Sequence, residues 1–226
     1  MKSTGADRSS IFFQNPYDER STSAGIILLA TWGLLSILFM ELAGDIWRNE
    51  TFAWDAPVML FIHSYSQPWL NSLMVLITQS GGWVTAVVFL GLVYWLRRCG
   101  AASWAWGAAI SFLGAISLNG ILKIIFSRPR PGVFSPLTAV HTYSFPSGHT
   151  VAAVSLYGFI AFALWRSGHK PWAILAGGWV LLIALSRVYL GVHYPSDVLG
   201  GIAFGGLWLL LVLVYLNRIA GGVEGE

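Results

Sequence analysis

Six apolar stretches, each close to or above the length of one bilayer crossing, alternate with short polar segments along the chain, at 24–43, 69–96, 104–126, 149–165, 171–189 and 196–216. A helix of roughly 20 apolar residues crosses the hydrocarbon layer, and a helix satisfies its own backbone polar groups there. The pattern predicts an all-α integral membrane protein with six transmembrane helices. The second stretch is longer than one crossing needs, and Thr78-Gln79-Ser80-Gly81-Gly82 interrupts it, so a tilt or a break at the two glycines is expected. Between the first two spans, the segment from Phe52 to Tyr65 sets Trp54, Phe61 and Tyr65 among Asp55, Pro57 and His63. It is too polar and too broken to span, and reads as a short interfacial helix. In the sixth stretch Gly200, Gly201, Gly205 and Gly206 recur at four-residue spacing, which permits close helix contact.

This pattern divides the chain into a polar tail over 1–22, a six-helix membrane domain over 23–217 and a short C-terminal tail over 218–226. The first segment is not a secretory signal, because its charged part is long and a full-length span follows without a cleavage site. With the N-terminus inside, the inner segments hold Lys2, Arg8, Arg20, Arg97, Arg98, Arg166, Lys170 and Arg218, and the outer ones hold Arg48, Arg128, Lys123, Arg130 and Arg187. The positive-inside rule places the tail in the cytoplasm, once the last three cations are set aside for the reasons below. The loops between spans three and four and between spans five and six then share the outer face. A plasma (inner) membrane location is expected.

Composition agrees with the membrane assignment: 56% of the residues are hydrophobic and only 10% charged, outside the range of soluble domains. The net charge of +3 is small and spread over short loops, which excludes a nucleic-acid partner. The single cysteine, Cys99, excludes an internal disulfide and is assigned no role.

The informative polar break is Tyr143-Ser144-Phe145-Pro146-Ser147-Gly148-His149-Thr150. Pro146 sets an extended approach, Ser147 is a good helix N-cap and Gly148 allows close backbone approach. An anion site with a histidine in it is expected at that helix start. Upstream, Lys123 is followed after six residues by Arg130-Pro131; downstream, Ser186-Arg187 is followed by His193 and then Asp197. These three blocks, in this order, resemble the type 2 phosphatidic acid phosphatase family of membrane lipid phosphatases, closely from Lys123 to Asp197 and loosely over the six-helix plan.

The resemblance implies a lipid phosphatase acting through a phosphohistidine, with no metal or other cofactor, on a substrate such as phosphatidylglycerol phosphate, phosphatidic acid or polyprenyl diphosphate. Lys123, Arg130 and Arg187 supply fixed positive charge for phosphate. The N–H groups of Ser147 and Gly148, with the Ser147 hydroxyl, complete a phosphate cradle, and losing one such donor costs ~100- to 1000-fold in rate. His193 is assigned as nucleophile, with Asp197 taking one ring N–H so that the other nitrogen presents its lone pair. His149 protonates the leaving alkoxide and then activates water. A zinc site on the two histidines, Asp197 and His141 is disfavoured because three nearby cations repel a divalent ion. Asn119, one helical turn before Lys123, either bonds toward the site or joins two helices. His63 is either a site residue or an ordinary interfacial histidine.

The partners expected are a lipid phosphate and the surrounding membrane lipids. A phosphotransferase using the same site is the near alternative, and a transporter or inert scaffold the remote one. Transport is disfavoured because the ionisable residues gather at one face instead of mid-membrane and no two-half repeat is visible.

Overall fold

The computed structural model describes residues 22–222, and its residues in regular structure are all helical. The chain order is α1 (Thr22–Trp47), α2 (Asp55–His63), α3 (Pro68–Gln79), α4 (Trp83–Arg98), α5 (Ala102–Phe126), α6 (Gly148–Arg166), α7 (Lys170–Tyr189) and α8 (Pro195–Gly222). Five of these are long and apolar enough to cross a membrane, and α3 with α4 forms a sixth, bent by 40°. The expected six spans with a short helix after the first are all present. Apart from Thr22, which opens α1, the expected N-terminal tail lies outside the described residues, and α8 continues past the boundary expected at 218.

The bend has the expected cause: Ser80-Gly81-Gly82 separates the two halves, and helices kink where such small residues leave the ladder unsupported. Side chains from elsewhere satisfy the freed groups. Tyr157 Oη donates to the Ser80 carbonyl at 2.8 Å, and Trp179 Nε1 to the Ser80 hydroxyl at 2.9 Å. A second irregularity, the π-helical turn Ile110–Gly114 within α5, is met by Trp208 Nε1, which lies 3.1 Å from the carbonyls of both Ile110 and Ser111.

Helices α6, α7 and α8 are the inner layer. Nearly half of the most apolar window of each is buried against other protein, whereas α1 mostly faces lipid. The glycine repeat in α8 works on two sides. A Cβ at Gly201 would lie 3.0 Å from the Ser147 carbonyl, and one at Gly205 3.0 Å from Val154 Cβ, so α8 meets α6 at backbone distance; Gly206 instead faces Leu35 of α1. Helix α2 is not merely laid on the surface. Met59 is fully buried with Ala184, Val188 and Val198, and Asp55 at its N-terminus is 3% exposed. His63 stacks on Phe134 with ring centroids 3.8 Å apart, which is a packing role.

Candidate active site

The site lies at one end of the bundle, where the loop 127–147, the start of α6, the end of α7 and the turn before α8 converge. Ser127 closes α5 in a left-handed conformation, and the loop behind it is closed by the Ser144 N–H donating to the Arg128 carbonyl at 2.9 Å. Leu137 N–H bonds to the Leu190 carbonyl at 2.9 Å, which seats the loop on the α7–α8 turn. Gly191, at φ +73°, supplies the left-handed residue that this turn needs, and a side chain there would also enter the Phe134 ring.

Asp197 is the hub. It is fully buried in the first turn of α8, and donors from the loop 127–147 and from the turn before α8 converge on its carboxylate. Oδ2 accepts from the Ser144 hydroxyl and from the Tyr194 N–H at 2.9 Å, with His193 Nδ1 3.4 Å away. Oδ1 accepts from Arg128 Nη1. A carboxylate so satisfied holds the imidazole with Nδ1 inward and Nε2 outward. His193 Nε2 then lies 3.4 Å from Arg130 Nη1.

His193 is 1% exposed. Burial lowers its pKa from the ordinary 6.5 to about 3, against the raising effect of the Asp197 hydrogen bond and charge. The ring is neutral at physiological pH, with a lone pair on the nitrogen that does not face Asp197. Arg130 is also lowered by burial while Asp197 acts to raise it, and as an arginine it stays charged.

Lys123 and Arg130 are pre-set by backbone carbonyls, and Arg187 by a hydroxyl. Lys123 Nζ donates to the Tyr143 carbonyl and lies 3.4 Å from that of Ser144. Arg130 reaches the Thr142 carbonyl at 2.6 Å and the Val192 carbonyl at 2.5 Å. Arg187, 2% exposed, donates from Nη1 to Thr78 Oγ1 at 2.6 Å, and its buried Nε has no protein partner. An orphaned guanidinium N–H in a cluster of cations is suited to an anionic oxygen. Arg187, His193, Arg130 and Lys123 all lie within electrostatic reach of His149, so the residues singled out in the sequence are brought together.

The cradle differs in one respect from expectation. The Ser147 N–H is not free but donates to the Asp197 carbonyl at 3.1 Å, and the Ser147 hydroxyl, fully buried, pairs with Thr150 Oγ1 at 3.0 Å. Ser147 occupies the N-cap position of α6 without a side-chain cap bond. Its work is to fasten the turn to α8, and Gly148 is left as the first helical amide, one of those without an acceptor inside the helix. A Cβ at Gly148 would press on Asn119 Nδ2 at 3.2 Å, so Asn119 does point toward the site. His141, by contrast, is exposed.

Four participants were not singled out from the sequence: Asp55, Arg128, Thr78 and Ser196. Asp55 was visible only as one of the polar residues of a short interfacial segment, and Arg128 only as a neighbour of Arg130. The α3–α4 break was visible, but not its position beside His149. A Cβ at Gly82 would lie 3.1 Å from His149 Nε2, and one at Gly81 3.3 Å from His149 Cβ.

Two predictions follow from this packing. Gly82→Ala displaces the imidazole and lowers kcat about 10- to 100-fold, whereas Gly91→Ala, where a Cβ meets nothing within 4 Å, leaves it unchanged; steady-state kinetics on both variants checks this. The second concerns acid. The folded pKa of His193 lies below its unfolded value, so the unfolded chain takes up the proton first as pH falls through 6.5. This contribution to stability is full above that value and is lost toward pH 3. Between about pH 7 and pH 5 the thermal midpoint in detergent should therefore fall further for the wild type than for His193→Gln.

A multi-span helical bundle that gathers two histidines, a buried aspartate and three cations at one end is a membrane protein whose site has the charge and donors to suit an anion. The PAP2 superfamily profile matches residues 104–220, and the chain belongs to that superfamily. It is 35% identical to phosphatidylglycerophosphatase B of Bacillus subtilis, over 82% of this chain and 94% of that protein. It is 29% identical to an undecaprenyl-diphosphatase of Sulfolobus acidocaldarius, over 84% and 90%. The crystal structure of a transmembrane PAP2-type phosphatidylglycerolphosphate phosphatase from Bacillus subtilis superposes with a TM-score of 0.72 at 32% identity, covering 84% of this chain and 97% of that one. The chain is a membrane phosphatase of this superfamily.

Proposed function

We propose that this phosphatase hydrolyses a lipid phosphate or diphosphate whose headgroup enters from the extracytoplasmic face of the plasma membrane, through a phosphohistidine on His193. The observation that carries this reading is the placing of a neutral, buried His193 with Nδ1 toward Asp197 and Nε2 toward Arg130. Nε2 attacks phosphorus while Lys123, Arg130 and Arg187 hold the non-bridging oxygens. His149, which takes up a proton once the phosphate dianion is bound beside it, gives that proton to the leaving oxygen, and then takes one from the water that releases phosphate from His193.

A lipid substrate is favoured by the pocket beside these groups. It has a volume of about 690 Å³, and Lys123, Arg130, Thr142 and Tyr143 line it together with Gly120 and Ile124 on α5. Ile124 is 72% exposed and faces the lipid side of a spanning helix, so the pocket is polar toward the loop and apolar toward the bilayer. An amphiphile with a phosphate head matches both walls. The orientation is favoured by the opposite end of the bundle, where Arg97, Arg98, Arg166, Lys170 and Arg218 gather at helix ends and turns.

The test is phosphate release in detergent with excess chelator, across phosphatidylglycerol phosphate, phosphatidic acid and polyprenyl diphosphate. Release that persists in chelator and is lost in His193→Ala is expected. Turnover that needs an added metal, or release only from soluble phosphate esters, would overturn the reading.

A further inference from the structure

Arg128 borders the pocket described above, but its guanidinium is turned away to two carboxylates and makes none of the phosphate contacts assigned to Lys123, Arg130 and Arg187. Its side chain is 10% exposed and stands between two carboxylates, donating from Nη1 to Asp197 Oδ1 and from Nη2 to Asp55 Oδ2 at 3.0 Å. Nη1 also reaches Ser196 Oγ at 2.8 Å. Asp55 is tied into the same cluster, since Oδ1 accepts the Ser196 N–H at 2.9 Å and Oδ2 its hydroxyl at 2.5 Å. The guanidinium carbon sits 4.3 Å from the centroid of the Tyr194 ring, next in sequence to His193.

We propose that Arg128 and Asp55 are positioning residues for catalysis: the guanidinium locks Asp197 so that Oδ2 alone serves His193, and separates two buried carboxylates that would otherwise repel. The proposal rests on the reading of His193 as the attacking group. An arginine is suited to this place because its planar fork serves both acids at once, which a lysine ammonium does not. Asp55, on α2, brings the helix after the first span into the site's support. With Arg128 gone, Asp55 and Asp197 become unpaired carboxylates in a dry pocket, where one of them is driven to take up a proton.

This gives a signature that loss of a mere structural strut does not share. Arg128→Gln lowers kcat ~100-fold, the upper end for an outer-shell partner, while KM and the inhibition constant of inorganic phosphate change less than about twofold, since Lys123, Arg130 and Arg187 remain. Adding Asp55→Asn to Arg128→Gln removes the repelling charge and restores about 10-fold of the lost turnover, a sign of coupling that the double-mutant cycle isolates.

A strut predicts the reverse, with the double variant no better than the single one. The experiment measures kcat, KM, phosphate inhibition and thermal midpoint for wild type, Arg128→Gln, Asp55→Asn, the double variant and His193→Ala in detergent. Arg128→Lys, which keeps the charge but not the fork, replaces Arg128→Gln if the latter does not fold, and is expected between it and wild type. Recovery in the double variant with phosphate inhibition intact supports the proposal. Wild-type turnover in Arg128→Gln, or a double variant as poor as the single, overturns it, and turnover surviving in His193→Ala overturns instead the reading on which it rests.

Discussion

Replacing His193 with alanine should lower phosphate release by ~10⁴-fold or more, the scale on which loss of an enzymic nucleophile is felt. The residue is the meeting point of everything the site arranges. Its Nδ1 faces Asp197, its Nε2 faces Arg130, and its burial keeps it uncharged. Alanine removes the nitrogen proposed to attack but leaves Lys123, Arg130 and Arg187 in place, so phosphate and vanadate should still bind, and substrate binding should survive the loss of turnover. Rapid-quench kinetics beside equilibrium inhibitor binding separates the two. A variant that has lost anion binding in step with turnover would mean that His193 supports the pocket instead of attacking.

The second large effect is expected at Asp197. Asparagine has the same shape, but its amide NH₂ must face one set of donors: either Arg128 on one side, or Ser144, the Tyr194 N–H and His193 on the other. Whichever side it takes, buried donors are left without an acceptor, at a cost of ~1–3 kcal/mol each. The imidazole also loses the anion that selects its tautomer, a change that costs ~10⁴-fold in a serine protease triad. Asp197→Asn should thus combine a fall in kcat of ~10³- to 10⁴-fold with a larger drop in thermal midpoint than His193→Ala shows, because it disturbs the donors of Arg128, Ser144 and Tyr194 as well as the imidazole. Circular-dichroism melts in detergent, run beside turnover, check the contrast.

How much of this was legible in the sequence depends on the range of the interaction. The six spans follow from apolar length, and the bend at Ser80-Gly81-Gly82 from residues that cannot support a helix, both local properties. Lys123, Arg130, Ser147, Gly148, His149, Arg187, His193 and Asp197 were readable as three blocks because their spacing on loops and helix ends was itself informative. What the blocks could not show is which groups lie opposite which. Arg128 and Arg130 are the same residue type two positions apart in a proline-fixed loop and border the same pocket, yet the guanidinium of one reaches His193 and that of the other turns back to Asp55 and Asp197. Asp55 is brought to Ser196 across 141 positions of sequence, and no periodicity encodes that distance. Ser147 shows the limit of a local rule: it is a good cap by type, but the close approach allowed by Gly201 draws its N–H to α8.

The central claim is the covalent step at His193, and trapping it is the direct test. Enzyme mixed with a lipid substrate carrying labelled phosphate, quenched within one turnover and digested under alkaline conditions, should yield label on the peptide that contains His193. That label should be lost in mild acid and be missing in His193→Ala. Label on a peptide containing His149 or Ser147, or burst-free turnover with no enzyme-bound phosphate at any quench time, would contradict the account.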